Sequence, residues 1–303
     1  MFVWLPLLLD STVDVTTISF VGALVLLSSL SLFFIFQLRF RSKFSPKLQH
    51  FNSLWATRLL LVLFIFLWSL SHLLRLPSVF TSLSLSFSSQ VYFCKFHTVL
   101  SLGLFQPAFL VILLYLVIVS IRKPNSNNSL SAVSLVFLVF PVVLLQSFFL
   151  FSWDGDLLPD IFVRSWSVGD DSEESVVSCT YPLISTVIFG GFAMTYVVGF
   201  MVSSYRVVSL VINKGLRIRI YFLTFVVLFF LVAETVCLGF SAAWRLETLN
   251  TGLISLLAFL SALLVAAAGE SILVIRPIRD SLAATGGFSS RQGDHSSDQV
   301  VEV

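Results

Sequence analysis

The stretch VYFCKFH, residues 91–97, places a thiol, an ammonium group and an imidazole within seven residues. Cys94, Lys95 and His97 belong to the residue types that act as nucleophiles, general acids and bases, and metal ligands. The residues around them are mostly Leu, Phe, Val and Ser. The stretch is therefore a chemical site, a structural fastening, or the outer end of a buried segment.

The composition indicates whether the chain folds in water or in a lipid bilayer. The 303 residues are 57% hydrophobic and only 11% charged, whereas soluble domains carry about 25% charged residues. Such a chain cannot cover itself with polar surface, which predicts a multi-pass protein whose main partner is the lipid bilayer. No clustered basic stripe is present, so we expect no nucleic-acid partner.

Hydropathy predicts an all-α membrane protein, a bundle of seven transmembrane helices in residues 16–276. The predicted spans are about residues 16–37, 54–76, 91–121, 130–153, 181–212, 221–244 and 251–275. Residues 1–15 are expected to form an extracytoplasmic tail, and residues 277–303 a disordered cytoplasmic tail. The last span is predicted to end at Arg276-Pro277, because a residue before proline disfavours helix.

The basic residues predict the orientation of the bundle. Of the 18 Lys and Arg residues, all but Arg75, Lys95, Arg164 and Arg245 fall on one side of the predicted spans. By the positive-inside rule that side is cytoplasmic, which places the N-terminus outside and the C-terminus inside. We expect the protein to lie in the plasma membrane or in an endomembrane.

Two cysteines share the predicted extracytoplasmic side, where disulfides persist. Cys94 lies at the start of the third span, and Cys179 ends the acidic loop of residues 154–180. A Cys94–Cys179 bridge would fasten this loop over the bundle; the alternative is two unrelated thiols. Lys95 is expected to extend to the membrane interface.

Ionisable residues within the spans are the other lead, because charge in lipid is costly. His72, His97 and Glu234 are predicted to face one cavity, either as a ligand site or as a satisfied hydrogen bond between helices. Arg58 and Glu270 are predicted to form an intramembrane ion pair, either structural or a latch that opens on signalling.

Seven spans, an external N-terminus and a bridge from the third span to the second external loop resemble the G-protein-coupled-receptor architecture. The stretches FNSLWATRLLLVLFIFLWSL and CKFHTVLSLGLFQPAFLVILLYLV are similar to an uncharacterised plant family of seven-span, receptor-like membrane proteins. This resemblance covers most of spans two to seven and implies a receptor-like fold without known chemistry.

The chain departs from rhodopsin-like receptors at each of their activation motifs. It has VIVSIRKPN in place of the acidic-Arg-aromatic triplet, AETVCLGF in place of Trp-x-Pro, and AAAGESILVIRP in place of Asn-Pro-x-x-Tyr. G-protein coupling is therefore an analogy of fold alone.

No nucleophile–base set, phosphate loop or zinc-ligand pattern is visible, so we expect no enzyme, no cofactor and no metal. The leading hypothesis is a non-enzymatic receptor-like protein with an unknown ligand and with cytoplasmic protein partners at its basic loops and tail. The alternatives are a small-solute or ion transporter that uses Glu234 and Glu270, and a membrane scaffold without a ligand.

Overall fold

The computed structural model describes residues 4–42, 54–76, 86–119, 137–152, 162, 164–168, 177–243 and 248–282. The described chain is predominantly helical, and we number its helices in chain order. They are α1 (Trp4–Ser42), α2 (Trp55–Ser71), α3 (Phe87–Thr98), α4 (Gln106–Val119), α5 (Phe140–Ser147), α6 (Leu183–Leu210), α7 (Lys214–Ala243) and α8 (Thr248–Glu270). A 3₁₀ turn, His72–Arg75, extends α2, and a π-helical segment, Val99–Phe105, joins α3 to α4.

Six helical stretches in the described part are long and apolar enough to cross a membrane. Five of them correspond to α1, extended α2, the α3–α4 unit, α6 and α7, and the sixth contains α8 and extends to Leu282. Only part of the predicted fourth span lies in the described chain. It consists of α5 and the π-helical segment Phe148–Ser152, which together form a shorter apolar helix, Phe140–Ser152. Residues 130–136 of that span lie outside the described part, so the structure supports six spans by itself.

Both predicted tails overlap a helix in the described part of the chain. The described part of α1 begins at Trp4, and after Pro6 neither Pro nor Gly interrupts it until Gly22. At the other end the helix that contains α8 does not stop at Ile275 but continues through Pro277 to Leu282. Hydropathy locates the apolar stretch, whereas the end of a helix depends on where its backbone hydrogen bonds stop.

A π-helical segment explains how the chain continues through proline in two places. Pro107 follows the segment Val99–Phe105, and Pro277 follows the segment Ser271–Ile275. In each case the residue before the proline donates its N–H five residues back, Gln106 to Ser101 and Arg276 to Ser271. This wider register accommodates a residue that cannot donate and that crowds the preceding turn.

The long helices form a closed ring. Going around it, α1 packs on α2, α2 on α4, α4 on α6, α6 on α7, α7 on α8, and α8 on α1. Trp68 of α2 lies in the middle of the ring, with its ring 5.8 Å from Phe109 of α4 and 5.7 Å from Phe259 of α8. The short helix α5 packs outside, against the π-helical segment of residues 99–105 and against α6.

The two ends of the ring are marked by different contacts. At the end that we call the turn end, Arg39 lies 3.7 Å from the Trp55 ring, and Arg219 bonds Asp280 at 2.8 Å. At the other end, the disulfide end, a bridge joins Cys94 to Cys179. Four units therefore run from the disulfide end to the turn end, namely α1, α3–α4, α6 and α8, whereas α2 and α7 run in the opposite direction.

A two-stranded antiparallel hairpin is a feature that the sequence analysis missed. Strands β1 (Trp166–Val168) and β2 (Val177–Cys179) pair with Trp166 opposite Cys179. The hairpin belongs to the predicted acidic loop. Its short strands carry too few residues for an alternating pattern to be recognised.

Candidate functional site

The predicted disulfide is confirmed, and it fastens the hairpin to the start of α3. The Cα atoms of Cys94 and Cys179 are 5.2 Å apart, and both side chains are buried. Phe93 and Trp166 pack against the bridge, and Arg164 lies 3.8 Å above the Trp166 ring. The bridge closes a separation of 85 residues and holds β2, and with it the start of α6, against the bundle.

His72 and His97 come together directly below this fastening. Their ring centroids are 5.2 Å apart in an edge-to-face arrangement, and both side chains are buried. His72 also contacts Trp68 at 4.7 Å and Phe259 at 4.6 Å. The 3₁₀ turn that ends α2 points His72 inwards, so this imidazole belongs to the interior of the ring.

The hydrogen-bond partner of His97 is Tyr181. The sequence analysis had instead placed His97 with Glu234. Its Nε2 atom lies 3.4 Å from the Tyr181 hydroxyl, just before the start of α6. The guanidinium of Arg75 lies 5.0 Å from the centroid of the same tyrosine ring. His97 therefore connects the top of α3 to the segment that follows the disulfide.

Glu234 receives its hydrogen bond from Gln106, the first residue of α4 after the π-helical segment. The Gln106 amide donates from Nε2 to Glu234 Oε1, and both side chains are buried. The other carboxyl oxygen, Oε2, has no hydrogen-bond partner in the described part of the chain. Because an unsatisfied polar group is costly in a protein interior, this oxygen marks a place where a further partner would be favourable.

A small cavity adjoins Glu234. It is lined by Trp68, His72, Ser101, Gln106, Tyr181, Glu234 and Phe259, with Leu102, Leu238, Ala258 and Ala262. The space open to a water-sized molecule is about 10 Å³, which is room for about one water. Within the described residues, Ser101 Oγ and His72 Nε2 on its wall also have no hydrogen-bond partner. The arrangement suits one water or one small cation and excludes an organic ligand.

Comparison with known proteins places the chain in a family but gives no activity. Residues 6–288 match the family described as Uncharacterised conserved protein UCP031277.

The chain belongs to this family.

No curated protein and no solved structure matches it.

Glu270, the second buried acid, lies against α1 near the turn end. Its Oε1 accepts a hydrogen bond of 2.8 Å from Ser28 Oγ, and neither side chain has exposed surface. Glu270 is the last residue of α8 before its π-helical extension, Ser271–Ile275. It does not line the cavity that adjoins Glu234.

The structure does not bring Arg58 and Glu270 together as an ion pair. Among the described residues, Arg219 with Asp280 is the pair within ion-pair distance, and Glu270 bonds Ser28 instead. Arg58 is buried in the second turn of α2. The prediction paired Arg58 with Glu270 because both lie at a similar depth in their spans. Depth alone does not show whether α1 or α2 supplies the partner of an acid on α8.

No group of three or more His, Cys, Asp or Glu residues able to hold a metal ion occurs in the described ranges. The residues that sequence reasoning missed at this site are Gln106, Tyr181 and Ser101. Gln106 carried a usable signal: an amide in an apolar span must find a partner inside the bundle. The position of Tyr181 was misleading, since an aromatic residue at a span end is typical of an interfacial anchor, whereas this tyrosine is buried and bonds His97.

Proposed function

We propose that the chain is a non-enzymatic, seven-span, receptor-like integral membrane protein. Its disulfide end would face the extracytoplasmic side, and its basic turn end would engage cytoplasmic protein partners. The observation that supports this proposal is the hairpin, which the Cys94–Cys179 bridge fastens directly over the buried cluster of His72, His97 and Tyr181. A covered polar cluster at one end of a helical ring is an arrangement through which an external event can alter helix packing.

The size of the cavity limits the ligand. Because it has room for about one water, an organic ligand would require the helices around Glu234 to separate or would bind outside the ring. Separation of these helices would move α7 relative to α4, since Glu234 and Gln106 connect them. A receptor of this kind would therefore transmit a change from the disulfide end along α7 to the turn end.

The membrane topology is tested first. Reporter tags inserted between residues 169 and 176 and at the C-terminus are expected to lie on opposite faces, with the C-terminal tag cytoplasmic. Tags on the same face would contradict seven spans. The count depends on whether the chain crosses the membrane between residues 120–129 and 169–176, so a tag within residues 120–129 is expected on the cytoplasmic face.

Signalling is tested by proximity labelling from the C-terminal tail in cells. Cys94→Ser releases the hairpin, and the set of labelled cytoplasmic proteins is expected to change. Cys237→Ser is the matched control, because Cys237 is a free cysteine on α7. An identical set of labelled proteins in Cys94→Ser and wild type would argue against communication between the two ends.

A small-cation or proton transporter is the second candidate, and the unpartnered Glu234 Oε2 atom beside the cavity favours it. Buried acids without a basic partner are typical of proton and cation pathways. In proteoliposomes, Glu234→Gln is expected to abolish any cation or proton flux, whereas Glu270→Gln is expected to preserve it. Absence of flux in the wild type, or equal flux in both variants, would remove this candidate.

A further inference from the structure

A groove lies between α6 and α7 close to the turn that joins them. Its volume is about 340 Å³, which falls within the range of ligand pockets. Met201 and Val208 of α6 and Thr224 of α7 form part of its wall, and Arg217 lies in the first turn of α7. No residue that lines the Glu234 cavity takes part in this groove.

The polarity of the groove changes with depth. Arg217 and Ser209 lie at the turn end, whereas Met201 lies eight residues deeper along α6, or about 12 Å at 1.5 Å per residue. Met201 is about half exposed, at 51%, and forms an apolar wall that opens towards the surrounding lipid. A molecule that fits this gradient has a charged head and an apolar tail.

Arg217 is held in place by the turn. Its Nη2 atom donates to the carbonyl of Val211 at 3.0 Å, and the turn itself is tightened by Gly215 N–H, which donates to Asn213 Oδ1 at 2.9 Å. In the described part of the chain no carboxylate lies within ion-pair distance of Arg217, in contrast to Arg219, which bonds Asp280. The remaining guanidinium N–H groups are thus available to an anion, and a planar guanidinium suits phosphate oxygens.

A buried hydroxyl provides a second, independent sign of a ligand. Ser204 lines the groove, is only 3% exposed, and its Oγ has no hydrogen-bond partner within the described ranges. The other hydroxyls of the wall on aliphatic side chains, Ser209 and Thr224, donate to backbone carbonyls of their own helices. Ser204 therefore offers a donor at the depth where the ester groups of a lipid would lie.

We propose that this groove binds an anionic phospholipid, with its phosphate at Arg217, its glycerol ester region at Ser204 and an acyl chain along Met201. Basic pockets between helices at the cytoplasmic face of membrane proteins commonly recognise anionic headgroups. The lipid would hold α6 and α7 together at the turn end. This site is independent of the proposed receptor function, because it involves neither the hairpin nor Glu234.

The test measures thermal unfolding of the purified full-length protein in nanodiscs. Phosphatidylglycerol is expected to raise the midpoint by several degrees relative to phosphatidylcholine with the same acyl chains. Arg217→Gln is expected to abolish that difference, and Arg217→Lys to restore part of it. Arg206→Gln is the matched control, since it removes one positive charge from α6 outside the groove and is expected to retain the full difference.

A second variant tests the acyl end without altering charge. Met201→Trp fills the apolar wall, and native mass spectrometry is expected to show at least a fivefold lower fraction of protein carrying one phosphatidylglycerol. Equal stabilisation by both lipids, or an equal loss in Arg217→Gln and Arg206→Gln, would overturn the proposal. Glycerol phosphate alone giving the full stabilisation would also overturn it, as would a dimer that Met201→Trp disrupts without any lipid preference.

Discussion

The two buried glutamates of the ring have the same chemistry but different surroundings. Glu234 and Glu270 each accept one hydrogen bond from a neutral side chain, Gln106 and Ser28 respectively, and each has an Oε2 atom with no hydrogen-bond partner in the described part. Glu234 adjoins a cavity with room for about one water, whereas Glu270 has no exposed surface and adjoins neither cavity. Only Glu234 therefore has space to exchange its partner.

The difference arises from the helices around each acid. At Glu234 the rings of Trp68, His72 and Phe259 and the hydroxyl of Ser101 meet from several helices and leave a gap between rigid shapes. At Glu270 the neighbouring Gly269 leaves room for the Leu113 side chain of α4, and a Cβ there would lie 2.6 Å from Leu113 Cδ1. The Glu234 end therefore has a gap beside its acid, whereas the Glu270 end is closely packed.

Removal of the disulfide should have the largest effect and should be confined to the Glu234 end. Cys94→Ala is expected to lower the free energy of unfolding by about 2–5 kcal/mol, because the bridge closes a long loop. Hydrogen exchange is expected to accelerate at residues 177–183 and to stay unchanged at residues 271–282. Thermal unfolding and exchange mass spectrometry of the same sample measure both quantities.

The matched control is Cys237→Ala, which removes a free, half-buried thiol from α7. It is expected to change stability far less and to leave both exchange rates alone. Faster exchange at residues 271–282 in Cys94→Ala would show that the two ends are one cooperative unit, which would contradict the comparison.

Added volume should be tolerated less well at the Glu270 end. Gly269→Ala is expected to cost about 1–3 kcal/mol, since Leu113 is fully buried and has to shift. Gly103→Ala, near the disulfide end, places its Cβ 3.0 Å from Gln146 Oε1, and it is expected to cost about 1 kcal/mol or less because the amide can turn.

Gly239→Ala on α7 serves as the control for the glycine series, because no atom lies within 4 Å of the added Cβ. It is expected to be neutral or stabilising by up to about 1 kcal/mol through helix propensity. A larger loss in Gly103→Ala than in Gly269→Ala, measured by thermal unfolding, would reverse the proposed order of the two ends.

Sequence reasoning was strongest where one physical constraint decides the outcome. The disulfide was predictable because Cys94 and Cys179 lie at span ends on the same predicted side of the membrane, the extracytoplasmic side, where disulfides persist. The apolar stretches were predictable because only about 20 apolar residues in helical form cross a bilayer. These predictions need no knowledge of which helices are neighbours.

Sequence reasoning failed where the partner of a buried side chain depends on which helix is its neighbour. Ser28 and Arg58 were both available near the turn end, and only the order α8–α1–α2 around the ring gives Glu270 to Ser28. The continuation of the last helix past Pro277 was missed for a local reason: the rule for residues before proline assumes an α-helical register, and the π-helical segment changes that register.

The smallest predicted effect concerns the two hydrogen bonds themselves. Double-mutant cycles with Ser28→Ala and Glu270→Met are expected to give a coupling of about 0.6 kcal/mol, the average measured between membrane helices. The corresponding cycle with Gln106→Met and Glu234→Met is expected to give less. Water in the adjoining cavity can take the place of the lost donor at Glu234, whereas Glu270 lines neither that cavity nor the groove between α6 and α7. A larger coupling at Glu234, measured by chemical unfolding in detergent, would mean that this cavity stays dry, and the exchange of partners argued for that acid would then lose its basis.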